Sequence, residues 1–270
     1  MNHSRYQIYP LTVIIAASLA CNFSNTSSTP VVESSAEPTP MTSVDVSITT
    51  PPLNAILPNG LASGASTSVT TEVEFPYINP SVGDMPAHSK YLLENYLLVG
   101  SIHQPHVLIF KSDEYAGYSE LTQEIISTLQ SFDPDSGSPV PDQLYSGMLT
   151  AQVQGINFQN GRGLRYLTQA GQSPAPINNS GLFYYFQGLS EDGSYYIAAI
   201  LPTSATYLVA DENPTSPLPV DGIPFDFENF DAVPKYFETM TTKLNDSSPA
   251  EFTPSIEVLD KFVESFLIQP

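Results

Sequence analysis

GLFYYFQGLSEDGSYYIAAILP, residues 181–202, is two apolar runs joined by Asp192-Gly193. An Asp-Gly pair between alternating hydrophobics is a strong hairpin signal. In the first run Leu182, Tyr184 and Phe186 share one face of a strand, and Phe183 and Tyr185 share the other. Both faces are apolar, so both must be covered. A tight hairpin also requires antiparallel pairing. The stretch predicts an antiparallel sheet held between layers of helix or loop.

Immediately upstream, MLTAQVQGINF (148–158) and LRYLTQ (164–169) flank QNGRG, and the Asn-Gly pair predicts a second hairpin. Leu149, Ala151 and Val153 share a face, whereas Ile156 and Phe158 fall on the other. Gly155 between them is where a bulge is expected to switch faces. HVLIF (106–110) predicts a compact strand, Tyr96–Val99 another, and EVEFPYI (72–78) an edge strand, because Pro76 cannot donate to a ladder.

The cover comes from amphipathic segments. In SELTQEIISTLQSF (119–132), Leu121, Ile125, Leu129 and Phe132 form a stripe at helical spacing, with Ser119 as N-cap. FENFDAVPKYFETMTTKL predicts a helix from Pro234 onward. TPSIEVLDKFVESFL ends the chain as the clearest helix, with Ile256, Leu259, Val263, Phe266 and Leu267 on one face. Thr253 is the expected N-cap and Pro254 the first helical residue. The fold class is α+β: a twisted antiparallel sheet covered by helices, an α/β/α sandwich, preceded by a disordered tether.

The chain has 270 residues, with 8 Lys+Arg against 28 Asp+Glu and a formal charge of −20. Charged residues are only 13% of it, about half the usual share, so the acidity comes from missing bases. Such a chain repels polyanions, which need Lys and Arg to neutralise phosphates. Nucleic acid is therefore excluded as a partner.

The lone cysteine, Cys21, follows a base, Arg5, and an apolar run, LTVIIAASLA (11–20), too short to span a bilayer. Charged start, short apolar core and small residues before a cut describe a secretory signal. SLAC resembles the lipobox of bacterial lipoproteins, with Ser18 where leucine is usual. The resemblance implies lipidation at Cys21 and a membrane as partner, with the chain facing outside the cytoplasm. Removing residues 1–20 takes one base and no acid, leaving a charge of −21. Residues 21–70 are rich in Ser, Thr and Pro and read as a tether, including the more apolar LNAILPNGLA (53–62). A single domain is expected over 71–270.

FQNGRGLRYLTQ, PINNSGLFYYFQGLSEDGSYYIAAILP and FTPSIEVLDKFVESF together resemble a group of uncharacterised bacterial lipoproteins, over about residues 75–268. The resemblance implies no activity. The layout is also similar, at fold level, to PsbP-like α/β/α domains, and a fold alone implies no function.

Once the leader is removed, Arg162 and Arg165 are the only arginines. Guanidinium forks in an acidic chain are landmarks for a carboxylate or sulfate. The competing reading is pairing with one of the many carboxylates, which suits Arg165; Arg162 is the better candidate for a ligand. HQPH places His103 and His106 at a spacing used by metal ligands, but Pro105 bars the helix that would align them. DPDSGS (133–138) lacks the glycine and glutamate positions of a calcium loop. The chain has no GxSxG elbow and no phosphate loop, so no cofactor is assigned. A non-catalytic domain binding an envelope protein or a small anionic ligand is the first expectation. A hydrolase using paired carboxylates and a structural accessory subunit are the alternatives.

Overall fold

The computed structural model describes residues 45–71, 86–136, 147–171 and 173–269. The leader, Cys21, residues 21–44 and the expected strand at 72–78 lie outside them. The chain is α+β, and its centre is a seven-stranded sheet in which every pairing is antiparallel. Its strands are β3 (Gly64–Thr70), β4 (His88–Glu94), β5 (His106–Lys111), β6 (Ala151–Phe158), β7 (Gly161–Gln169), β8 (Leu182–Ser190) and β9 (Tyr195–Pro202). The order across the sheet is β3-β4-β5-β9-β8-β7-β6.

The 181–202 hairpin forms as expected, with Phe186 opposite Ala199 and Leu189 opposite Tyr196. Asp192 ties its turn: Oδ1 accepts from Ser190 Oγ at 2.6 Å and from the Ser194 amide at 3.0 Å. Tyr184 and Phe186 face one core with Val107, Ile197 and Tyr91. Leu164, Tyr166, Leu189 and Tyr196 face a second core.

Helices α1 (Ser112–Ala116) and α2 (Glu120–Ser131) cover the second core with Tyr115, Ile126 and Leu129. Ser119 caps α2 in a reciprocal box with Thr122. The buried stripe of α2 is Thr122, Ile126 and Leu129, one residue round from the expected Leu121 and Ile125. Helices α3 (Val233–Asp246) and α4 (Ile256–Glu264) cover the first core through Tyr236, Met240, Leu259 and Phe262.

The first core needs a third cover, which the tether expectation missed. β1 (Val46–Thr50) and β2 (Leu53–Leu57) form a small sheet with β12 (Leu267–Ile268). Leu53, Leu57 and Leu61 are all 0% exposed, and Tyr91 Oη accepts from the Leu53 amide at 3.1 Å and donates to the Thr50 carbonyl at 2.8 Å. Residues 46–70 are thus part of the folded domain. Ser and Thr between alternating Leu, Ala and Ile suit a half-buried strand as well as a linker.

Three local expectations also change. Tyr96–Val99 is not a strand: Asn95 adopts φ 49°, ends β4, and leaves Leu97 and Val99 exposed. Thr253 does not cap α4, because it pairs with Ser204 in a short ladder between β10 (Ser204–Ala205) and β11 (Phe252–Thr253). Ser255 caps instead, its side chain accepting from the Val258 amide at 3.3 Å, and Pro254 stays outside the helix. The bulge in β6 falls at Gln152, with φ 54°, rather than at Gly155. There Gln152 Nε2 donates to the Leu244 and Ser247 carbonyls at 2.8 and 2.9 Å, closing the end of α3. Gly155 serves close packing: a Cβ there would lie 2.3 Å from Pro134 Cβ.

Burying each of the three leucines is worth about 1.5–3 kcal/mol, against a whole-domain stability of about 5–15 kcal/mol. A chain beginning at residue 71 is expected to lose fixed tertiary structure. One beginning at residue 45 is expected to melt as the full chain does. Near-ultraviolet circular dichroism and thermal melting of the two chains check this.

Candidate functional site

Arg162 and Arg165 lie three residues apart on β7, so alternation sends them to opposite faces. Arg165 is 3% exposed beneath α4. Its Nε donates to Asp260 Oδ1 at 3.1 Å and Nη2 to Oδ2 at 3.3 Å. Nη2 also reaches Gln154 Oε1 at 2.6 Å, and Nη1 donates to the Gln152 carbonyl. Tyr184 Oη donates to Asp260 Oδ1 at 2.9 Å.

Burial raises the Asp260 pKa, and this outweighs the opposing effects of Arg165 and the Tyr184 hydrogen bond. The Tyr184 phenol is also pushed up, first by burial and then by Asp260, so it remains a donor. Asp260 could have been suspected from sequence. It is an acid four residues after Ile256, inside the apolar stripe of α4, and a charge there needs a buried partner.

Arg162 is exposed on the opposite face. It opens into a hollow of about 440 Å³ between the end of α2, the β6–β7 turn and the β8–β9 turn. Asp135, Asn157, Ser190 and Glu191 line it beside Arg162. The only hydrogen bond of the guanidinium among the described residues is from Nη2 to the Gln130 carbonyl, at a long 3.5 Å. The salt bridges among those residues are Lys111–Glu114, Arg165–Asp260 and Lys235–Glu238, and none includes Arg162. Asn157 Nδ2 donates to Asp135 Oδ2 at 3.4 Å.

The turn that leads into Arg162 is held firmly. The two residues between paired Phe158 and Gly161 are Gln159 and Asn160, so Asn160 belongs to the turn but Gly161 does not. Asn160 Nδ2 donates to the Ile268 carbonyl at 2.7 Å, and its Oδ1 accepts from the Ile268 amide at 2.9 Å. Gly161 is needed for close approach, because a Cβ would lie 2.1 Å from the Phe158 ring and 2.4 Å from the Leu189 carbonyl.

The histidines are not brought together as a metal centre. His106 is buried on β5 and its Nδ1 lies 2.7 Å from the Gln104 carbonyl. His103 precedes the strand, and its ring meets Phe183 edge-on at 4.6 Å. No cluster of three or more metal-ligating side chains occurs among the described residues. In the acidic loop, Asp133 Oδ1 is used locally, accepting from the Asp135 amide at 3.0 Å.

A groove of larger volume, about 1140 Å³, lies between α3 and residues 206–223 and was not anticipated from sequence. Lys235, Glu238, Lys243 and Asp246 line it from α3. Lys235 pairs with Glu238 at 2.9 Å. Lys243 donates to the Asp221 carbonyl at 2.6 Å and lies 4.7 Å from the Tyr207 ring centroid. Lysines and acids one turn apart on an exposed helix face are ordinary, which is why the sequence carried no signal.

No protein-family model, curated protein or solved structure matches the chain.

Removing one partner of a buried pair costs about 3–5 kcal/mol, because the other charge stays buried. Arg165→Ala is expected to lose that much, and Arg162→Ala to stay within about 0.5 kcal/mol of wild type. Urea melts of both variants check this. Arg165→Met with Asp260→Leu should recover most of the loss.

Burial lowers the His106 pKa to about 4; the Gln104 carbonyl opposes this, while Lys90, His103 and His88 add to it. The unfolded value is near 6.5, so the unfolded chain holds the proton more tightly. The contribution is full above about pH 6.5 and is lost as pH falls toward about 4, by about 3 kcal/mol. Asp260 acts with the opposite sign: its raised pKa gives stability at low pH that is lost as pH rises through it. His106→Gln should therefore flatten the acid limb of stability in urea melts between pH 7 and pH 4.

Proposed function

We propose that the protein is a lipid-anchored domain of the bacterial cell envelope, facing outside the cytoplasm, that binds a small ligand through an anionic group without transforming it. The observation that carries the binding reading is Arg162. In a chain of charge −20, an exposed guanidinium in a hollow, with no carboxylate within salt-bridge reach among the described residues, is left free for a ligand's anionic group. Arg165, three residues on, serves the fold instead.

The anchor reading rests on Cys21 at the end of a signal-like segment. Among the described residues no helix is long and apolar enough to cross a membrane. Helices on both faces of an antiparallel sheet suit the PsbP-like comparison, which supports a fold and not an activity. The groove beside α3 favours a second reading, recognition of an envelope protein. It is roomy, carries both signs of charge, and includes fully exposed Val220.

Two measurements test the first reading. In a bacterial host, the full chain should fractionate with membranes and take up labelled fatty acid, and Cys21→Ser should abolish both. Titration with small carboxylates should show saturable binding that Arg162→Ala removes. Binding that survives Arg162→Ala would place the site elsewhere.

A further inference from the structure

The hollow beside Arg162 holds more than a cation. Asn157 of β6 pairs with Arg162 in register, and its amide contacts Asp135. On the other side Leu189 of β8 pairs with Arg162, and Glu191 lies two residues beyond it. Adjacent strands are about 4.8 Å apart. Arg162 therefore shares the hollow with an acid reached across each neighbouring strand, Asp135 by way of Asn157 and Glu191 just past the end of β8. The carbonyl end of α2 adds a partial negative charge at Gln130.

This arrangement discriminates between ligand classes. A simple anion gains from Arg162 but is repelled by Asp135 and Glu191. A simple cation gains from the acids but is repelled by Arg162. Two unit charges 4 Å apart interact by about 1 kcal/mol in water and about 4 kcal/mol near a protein surface, so neither repulsion is negligible. A molecule with a carboxylate and an ammonium group reverses both. Its carboxylate takes the guanidinium fork, and its ammonium takes a flanking acid or the Gln130 carbonyl. Charge-assisted bonds of about 2.8 Å at each end fit a short ligand within the 440 Å³ available.

We infer that this hollow binds a zwitterion of amino-acid type, such as a free amino acid or short peptide, through Arg162 on one side and Asp135 or Glu191 on the other. The inference rests on the reading of Arg162 as a ligand site and adds the class of ligand. The side-chain amide of Asn157 also lines the hollow and suits the polar middle of such a molecule.

The test uses the full chain in detergent, at low salt, by isothermal titration. The probes are L-alanyl-L-alanine, its N-acetyl derivative and its C-terminal amide. The free dipeptide is expected to bind. Each blocked form should bind at least about tenfold more weakly, the cost of losing one charge-assisted bond. Arg162→Ala should abolish the preference for a free carboxylate. Asp135→Asn with Glu191→Gln should abolish the preference for a free amine while retaining the fold by circular dichroism. If the N-acetyl form binds as well as the free dipeptide and Arg162→Ala removes both, the zwitterion inference fails while the anionic site stands. If no probe binds in an Arg162-dependent way, both fail.

Discussion

Strands β7, β8 and β9 bury side chains on both faces, so neither face of the sheet centre can be left to water. That requirement calls for every other element. α1 and α2 close one face. The other is wider and takes α3, α4 and the small N-terminal sheet together. It explains why the domain reaches back to residue 46: without Leu53, Leu57 and Leu61 the face around Tyr91 and Val107 would be open.

The two covers then assign the two arginines. Arg165 points into the face that α4 covers, where a lone charge would be intolerable. Asp260 meets it in two-point geometry, and Gln154, Gln152 and Tyr184 complete the donors and acceptors. Desolvation consumes most of what such a pair returns, as the raised Asp260 pKa indicates. The network adds geometry more than net stability: two-point pairing is satisfied by one seating of α4 on β7. The same strand, one face over, leaves Arg162 at the sheet end beyond the main cover.

Much of this was legible from sequence where local chemistry and global packing agree. The two-faced apolar pattern of 182–201 required the double cover, and Ser119 marked the start of α2. Legibility failed where one signal has two uses. Ser and Thr serve linkers and strands alike, so β1 to β3 read as tether. Thr253 is a good cap by type, yet ladder pairing with Ser204 claimed it and Ser255 took its place. Asn160-Gly161 marked the β6–β7 hairpin, but the two residues divide the work: Asn160 sits in the turn and clamps β12, whereas Gly161 begins β7, where Phe158 and Leu189 leave no room for a Cβ. At the site, parity alone separated Arg162 from Arg165. The flanking acids Asp135 and Glu191 arrive from distant loops, and no spacing in the chain announces them.

A site built this way gains from the rigidity of its support. Arg162 and Asn157 stand on paired strands, and the turn between them is fixed to the C-terminal strand by a reciprocal amide clamp. Groups held on such elements keep their positions before a ligand arrives, which lowers the entropy cost of binding. The field of the whole chain adds a filter. A surface of charge −20 disfavours the approach of a free anion over distances up to a screening length of about 8 Å at physiological salt. A zwitterion has no net charge and meets no such barrier, yet it presents a carboxylate to Arg162 on arrival. Among carboxylate ligands, the acidity of this chain therefore favours those that bring their own positive charge.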